Sequence, residues 1–380
     1  MLNKDNIHFK RSRSLSINAM VYFWLSGRGP GKSTEAKELV LEEYKKNKRL
    51  SFWLLRNESQ FNEPKFYDGF LANFTEYGYT ADSSGVYEPL LDEEGKPKIN
   101  PNSGRLLPDK TKVIIYFVGV STMASKLKSI DTKNIKWIIV DEVIPNLKVP
   151  GQRYLKGEAE GLMSVYNSLA RNNDYETKII LIGNPYQLSN PYFKFWKVDV
   201  KQVRENKDKI YVPFKDKAVI YNGKRFDLIV IDYFSVNPEL LAKIKSTPYA
   251  ALLSLNEDFY NTEMEGEEYL FKAPKVAKLD PYAYLYAKIV INHRQIFCYL
   301  APDNFKVGGA GFHFDTKDNG KKSMEFIALD LDDIGGDNIV VDKHNPLFVK
   351  LESIKRSIRV NAYSVGEESI NDDIIDILTY

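Results

Sequence analysis

Trp24-Leu25-Ser26-Gly27-Arg28-Gly29-Pro30-Gly31-Lys32-Ser33-Thr34 stands between an apolar run, Met20 to Leu25, and an amphipathic stretch, Glu35 to Lys46. The run reads as a buried strand and the stretch as a helix. A strand, a glycine-rich loop and a helix opening on Gly-Lys-Ser are the parts of a P-loop. In that arrangement the backbone N–H groups of Gly29 to Lys32 cradle phosphates, helped by the positive end of the helix dipole. Lys32 reaches the β- and γ-phosphates of ATP, and the Ser33 hydroxyl holds Mg²⁺. Gly27, Arg28, Gly29, Gly31 and Thr34 complete the expected nucleotide-binding set. The first glycine of the GxxxxGK[ST] pattern falls on Ser26, with Gly27 one place later.

Outward from this loop, the first half of the chain alternates apolar runs with helical segments, as a parallel α/β sheet requires. Leu50 to Leu55 reads as a strand and Phe61 to Tyr77 as a helix. Residues Ser83 to Lys112, rich in Pro, Gly, Asp and Asn, read as a surface insertion, with a hairpin as one form it could take. Val113 to Val118, Trp137 to Val140 and Lys178 to Ile182 read as further strands, with a helix from about Gly157 to Ala170 before the last. With a strand between the P-loop strand and the Asp141-Glu142 strand, the chain resembles the additional-strand P-loop ATPases more than the small-molecule kinases. Beyond Val198 the pattern changes. Lys201 to Lys217 is highly charged, and Ile220 to Phe234 reads as strands about an Asn222-Gly223 turn. Helical signal covers Pro238 to Leu255, strand signal Tyr282 to Leu300 and Met324 to Leu331, and helix again Pro346 to Ile354.

The 380 residues, 43% hydrophobic and 27% charged, suit two globular domains. A net charge of +2 leaves any nucleic-acid contact to local patches. One cysteine, Cys298, and four scattered histidines, His8, His293, His313 and His344, exclude a disulfide framework and argue against a Cys/His metal cluster. The chain lacks an apolar run of membrane-spanning length and has a polar N-terminus, so a cytosolic protein with no membrane partner is expected.

Chemistry concentrates where strands end. Asp141 closes a buried strand, where an acid aimed at the P-loop binds Mg²⁺. Glu142 follows at once, where hydrolytic members of this class carry the base that polarises attacking water. Asn184, after the strand Ile179 to Gly183, is placed to meet the γ-phosphate or that water; an ordinary Asn-Pro turn is its plain alternative. Arg171, ending a helix, is a candidate arginine finger or a simple helix C-terminal cation. Lys126 and Lys128 are candidate contacts to a DNA backbone, as are Lys10, Arg11 and Arg13 and, near the C-terminus, Lys355, Arg356 and Arg359. Asp330, Asp332 and Asp333 form a dense acidic cluster that reads as a solvated turn rather than as a two-metal nuclease centre.

Ser26 to Ser33, Ile138 to Ile144, Ala170-Arg171-Asn172, and the segment Gly183-Asn184-Pro185 through Asn190-Pro191-Tyr192-Phe193 together resemble the DNA-packaging ATPases of small tailed phages with protein-primed genomes. The resemblance covers residues from about 20 to 200 well and the rest loosely. It implies a homomeric ring, pentameric in the best-known cases. The ring docks on the portal of an empty capsid in the host cytoplasm and drives double-stranded DNA inward. It also implies Lys32, Ser33, Asp141 and Glu142 in the ATPase roles above, and Arg171 as a finger acting on a neighbouring subunit. Asn173 stands where a second arginine is expected. The second domain of that family resembles an RNase H-like nuclease that has lost its acids.

The expectation is therefore an α/β additional-strand P-loop NTPase domain with a mostly parallel sheet (1–205), a linker region (206–255) and a smaller α+β domain (256–380). The function expected is an ATP-hydrolysing DNA translocase. The alternatives are a P-loop kinase acting on a small acceptor, and a DNA-binding structural protein that holds nucleotide without turnover.

Overall fold

The structure is a computed structural model that describes residues 8–56, 58–126, 130, 132–146, 152, 154–155, 157–247, 261, 275–276, 278–279, 283–291, 294–300, 312–321, 328–330, 346–359, 363–365, 374 and 377. Lys128, His293, His344, Asp332 and Asp333 fall outside the described residues. The chain divides into two compact units. One comprises residues 1–144, 158–186 and 195–268; the other comprises 145–157, 187–194 and 269–380.

The first unit is built on a ten-stranded sheet of β1 (Ala19–Leu25), β2 (Leu50–Leu55), β3 (Thr80–Asp82), β4 (Gly85–Pro89), β5 (Pro108–Gly119), β6 (Ile135–Val140), β7 (Lys178–Gly183), β8 (Ile210–Tyr211), β9 (Val219–Tyr221) and β10 (Lys224–Tyr233). The strand order is β3-β4-β5-β2-β6-β7-β1-β10-β8, with β9 pairing β10. The six strands from β5 to β10 along this path run parallel, while β3, β4, β8 and β9 pair antiparallel at the margins. The central strands are near-continuous apolar runs because both faces of a parallel sheet are covered. Strand β7 separates β1 from β6, which is the additional-strand arrangement.

The helices of this unit include α1 (Ser12–Leu15), α2 (Lys32–Asn47), α3 (Pro64–Leu71), α4 (Met123–Lys126) and α5 (Glu158–Asn172). Ala36, Val40, Leu41 and Tyr44 form the buried stripe of α2 and join Trp24, Trp53, Phe70, Phe117, Ile139 and Ile182 in the core. The helix expected over Phe61 to Tyr77 is instead three short pieces, with 3-10 turns at Glu58–Asn62 and Thr75–Tyr77 around α3. Pro64 lacks the N–H that a continuing helix would need, so it opens a new one. The expected surface insertion is partly sheet, since β4 pairs antiparallel with β5.

The linker expected over 206–255 is corrected by the structure: β10 lies inside it and pairs in parallel with β1, the strand that feeds the P-loop. Its run Asp227-Leu228-Ile229-Val230-Ile231 is buried as thoroughly as the other central strands, which a linker could not be. The Asn222-Gly223 hairpin joining β9 to β10 is present, with both residues in the left-handed region (φ +48° and +73°).

The second unit holds a six-stranded mixed sheet of β11 (Lys275–Val276), β12 (Tyr284–Ile291), β13 (Arg294–Leu300), β14 (Phe312–Asp315), β15 (Ala328–Asp330) and β16 (Tyr363–Val365). The order is β11-β16-β14-β13-β12-β15. Ala287, Ile289, Ile296, Cys298 and Phe314 pack with Leu351, Ile354 and Ile358 of the helix Pro346–Arg359. Burial pushes the Cys298 thiol well up, so it is an inert core residue. Asp330 ends β15, and among the described residues no group of three or more His, Cys, Asp or Glu is placed to hold a metal ion.

Candidate functional site

At the C-terminal end of β1 the chain turns through Gly29 and Gly31, both left-handed (φ +95° and +93°), before α2 begins at Lys32. A side chain at either position would be strained, so the glycines let the loop close on the first turn of α2. Phe9 donates its N–H to the Pro30 carbonyl at 2.7 Å and pins the loop from the N-terminal side.

Lys32 is buried, with its ammonium donating to the carbonyls of Ser26 and Gly27 at 2.8 Å each and to Asn184 Oδ1 at 3.4 Å. Burial pushes its pKa down to about 7, against the pull of Asp141 and with help from Arg28. An added anion at the loop would relieve that penalty. Ser33 Oγ donates to Asp141 Oδ1 at 3.0 Å. Burial and the adjacent Glu142 push the Asp141 carboxyl up to about 6, while Ser33 and Lys37 oppose the shift. The loop lysine, the helix-opening serine and the strand-terminal acid therefore lie together.

Glu142 is exposed beside them, with φ +58°, and its N–H donates to Asp141 Oδ1 at 3.1 Å. Asn184 joins the cluster through Lys32, and its amide donates to the Tyr186 hydroxyl at 3.1 Å. Arg28 is exposed and reaches the same hydroxyl at 3.3 Å. Thr34 is exposed in the first turn of α2, and Gly27 is buried. At Gly183 an added Cβ would meet Val143 Cγ1 at 3.0 Å and Ile144 Cγ1 at 3.4 Å, so a larger residue there would press on the turn that carries Glu142.

Other expected residues sit apart. Arg171 lies exposed in the last turn of α5, its Nε donating to the Asn167 carbonyl of the same helix at 3.3 Å. Lys126 closes α4 after β5. The N-terminal basic cluster is engaged internally. Arg11 pairs with Glu38 and Glu42 at 3.3 Å and Glu35 at 3.8 Å, and Arg13 pairs with Asp232 at 3.2 Å. Lys355, a candidate nucleic-acid contact, is buried and pairs with Glu352 at 3.5 Å. Asn190 caps the helix Pro191–Trp196, its Oδ1 accepting from the N–H groups of Tyr192 and Phe193 at 3.1 Å.

Three features escaped the sequence reading. Tyr186 ties Arg28 to Asn184, and Lys37 adds a second cation near Asp141, its ammonium 4.4 Å over the Phe70 ring. Arg56 follows β2 directly. It donates to both carboxylate oxygens of Glu158 and, at 2.6 Å, to the Val143 carbonyl. Its position just past a parallel strand's carboxyl end, where α/β sheets gather ligands, was the available signal.

No protein-family model and no curated protein matches this sequence. Among solved structures, the chain is similar to the Phi-28 gp11 DNA packaging motor, at 16% identity over 98% of each chain with a TM-score of 0.54. It is also similar to the viral genome packaging motor assembly of bacteriophage Phi-29, at 14% identity over 98% of each chain with a TM-score of 0.51. No helix among the described residues is long and apolar enough to cross a membrane. The chain shares its fold with these two phage packaging-motor proteins.

Proposed function

We propose that this chain is an ATP-hydrolysing subunit of a ring motor that moves double-stranded viral DNA through a portal into a preformed capsid. The observation that carries the reading is the 3.0 Å hydrogen bond from Ser33 to Asp141 with Glu142 next in line. A hydroxyl and a carboxylate at the head of a phosphate-cradling helix are hard oxygen donors of the kind Mg²⁺ takes, so the residues present fit the ion. Mg²⁺ there would neutralise charge on the phosphates of ATP. Gly27, Gly29, Gly31, Lys32, Ser33 and Thr34 would receive the triphosphate, with Arg28 beside it. Glu142 would orient and deprotonate the attacking water, and Asn184, bonded to Lys32, would sense the γ-phosphate. Arg171, exposed at the end of α5, would serve a neighbouring subunit. Lys126 and Lys128 are the proposed backbone contacts to DNA.

The shared fold with two packaging-motor proteins supports the coupling to DNA and an assembly; the pentameric ring, the portal protein and the host cytoplasm rest on the resemblance of the sequence motifs alone. The test is phosphate release by the full chain with and without long duplex DNA. DNA-stimulated turnover that Glu142→Gln abolishes is the expected result. Tight ATP binding with no turnover, or transfer of phosphate to a small acceptor, overturns the reading.

A further inference from the structure

Among the described residues, the large apolar side chains left exposed gather, Phe195 apart, in two places. Leu90, Leu91 and Ile99, up to 58% exposed, lie on the extension between β4 and β5. Val219, Ile220 and Tyr221, up to 77% exposed, form β9. The exposed Tyr175 ring stands 5.5 Å from that of Tyr221 and joins the second group. Single exposed apolar residues are ordinary, whereas a cluster marks a place where a partner sits.

Both places are held by backbone pairing. In the extension, the Leu90 N–H donates to the Leu107 carbonyl at 2.8 Å and the Lys98 N–H to the Leu90 carbonyl at 2.7 Å, so three segments pair as a small meander. Its outer turn is Asp92-Glu93-Glu94-Gly95, with Gly95 left-handed (φ +78°). There Asp92 Oδ1 accepts from the N–H groups of Glu94 and Lys96 at 3.0 and 2.8 Å. On the other side, Val219–Tyr221 pairs antiparallel with Lys224–Phe226. β10 meets β1 only from Asp227 onward, and β5 meets β2 only from Ile115 onward. Both projections therefore pass the amino-terminal ends of the parallel strands, away from the P-loop. Five strand spacings separate β5 from β10, about 24 Å.

Their charges are opposite. The outer turn of the extension carries three consecutive acids; Glu94 pairs with Lys96 at 2.8 Å, and Glu93 is exposed with no ion pair among the described residues. Around β9 the exposed charges are Lys215, Lys217, Lys224 and Arg225 against Asp216. Lys224 shares the Glu176 carboxylate, at 3.2 Å, with Arg49 at 3.0 Å and Lys136 at 3.1 Å, and these cations pull that carboxyl down to about 2. Extension against extension, or β9 against β9, would face like charges. Extension against β9 sets acids on lysines and one apolar group on the other.

We infer that the β4–β5 extension of one copy of this chain docks on the β9 edge of the next, Leu91 and Ile99 against Ile220 and Tyr221. Two different patches at opposite edges of a sheet make the contact head-to-tail, the kind whose repetition closes into a ring. This names a contact within the ring proposed above and rests on that assembly.

The experiment follows the mass of the full-length chain by sedimentation velocity for wild type, Leu91→Asp, Ile220→Asp and an equimolar mixture of the two variants. Both positions are exposed, so thermal melting should match wild type. Each variant should associate about 10- to 100-fold more weakly than wild type, the worth of one buried aliphatic side chain. The mixture should form dimers that grow no further, because Ile220→Asp copies keep a working extension and Leu91→Asp copies a working β9 edge. A second test uses Leu91→Cys and Ile220→Cys, since Cys298 is buried. A short bismaleimide should cross-link these two variants when mixed and neither one alone. Cross-linking of Leu91→Cys alone, or Asp variants that associate as wild type does, overturns the inference. Asp variants that associate normally yet lose binding to long duplex DNA assign the patches to DNA and overturn it as well. A wild type that stays monomeric at every concentration overturns the ring assembly, and this inference with it.

Discussion

Ser33 and Asp141 lie 108 residues apart in the chain and share one hydrogen bond of 3.0 Å. That contact joins the head of α2 to the end of β6 across β7, the strand that separates β1 from β6. Lys32 precedes Ser33 in the chain and Glu142 follows Asp141, and the proposed function rests on this arrangement.

Lys32→Ala should weaken ATP binding by at least about 100-fold, because a buried ammonium is the loop's charge-assisted donor to the phosphates. Isothermal titration with ATP and Mg²⁺ checks this. Affinity retained within a few-fold would place the triphosphate elsewhere.

Glu142→Gln should keep nucleotide affinity and lose about 10²- to 10⁴-fold in turnover, the usual share of a general base. Arg171→Ala alone should also be slow, yet mixing it with Lys32→Ala subunits should restore part of the rate. Complementation of that kind needs one subunit's arginine to act on its neighbour's nucleotide. Phosphate release measured across mixing ratios decides it, and a strictly additive response refutes the trans role.

Gly183→Ala should lower stability by about 1–3 kcal/mol, the cost of forcing an extra methyl into a filled site. The new Cβ would stand 3.0 Å from Val143 Cγ1, a buried side chain with little room to give. Turnover should fall with it, because Val143 follows Glu142. Chemical denaturation reads the first effect and steady-state hydrolysis the second.

Asp232 gives a pH signature. Its carboxyl is buried on β10, and burial pushes it from 3.8 up to about 6, with Asp208 adding and Arg13 opposing. The folded protein therefore keeps this proton through a pH range in which the unfolded chain has lost it, and stability declines as pH rises from about 4 to about 6. Asp232→Asn removes that decline. The melting-temperature difference, variant minus wild type, should grow across this interval and level off above it. A flat difference would mean that Arg13 fully compensates the buried charge.

The P-loop unit was legible because its signals are local. A strand, a left-handed glycine turn and a helix lie contiguous from Ala19 to Asn47, and apolar runs ending in Asp141 and Asn184 mark the strands that meet them. The linker expectation failed at β10, whose apolar run was read as a strand but assigned no partner; sheet order is a long-range property. Charged flanks such as Lys201 to Lys217 made the interval look solvent-borne, although they lead into a central strand. Arg56, signalled only by its place just after β2, and Glu158, not signalled at all, went unread for a different reason. Each reads as an ordinary surface charge, and only the fold brings residues 102 positions apart into a buried fork. Arg11 and Arg13 show the reverse error, since cations that suggested a nucleic-acid contact are spent on carboxylates of α2 and β10.

Helix α5 begins at Glu158, gripped by Arg56, and carries Arg171 in its last turn. At 1.5 Å per residue, roughly 20 Å separates those two ends. A stiff rod clamped at its base acts as a lever: tilting it by about 3° swings the far tip through about 1 Å at that length. A small shift at the Arg56–Glu158 end would thus become travel on the scale of an atomic contact at Arg171.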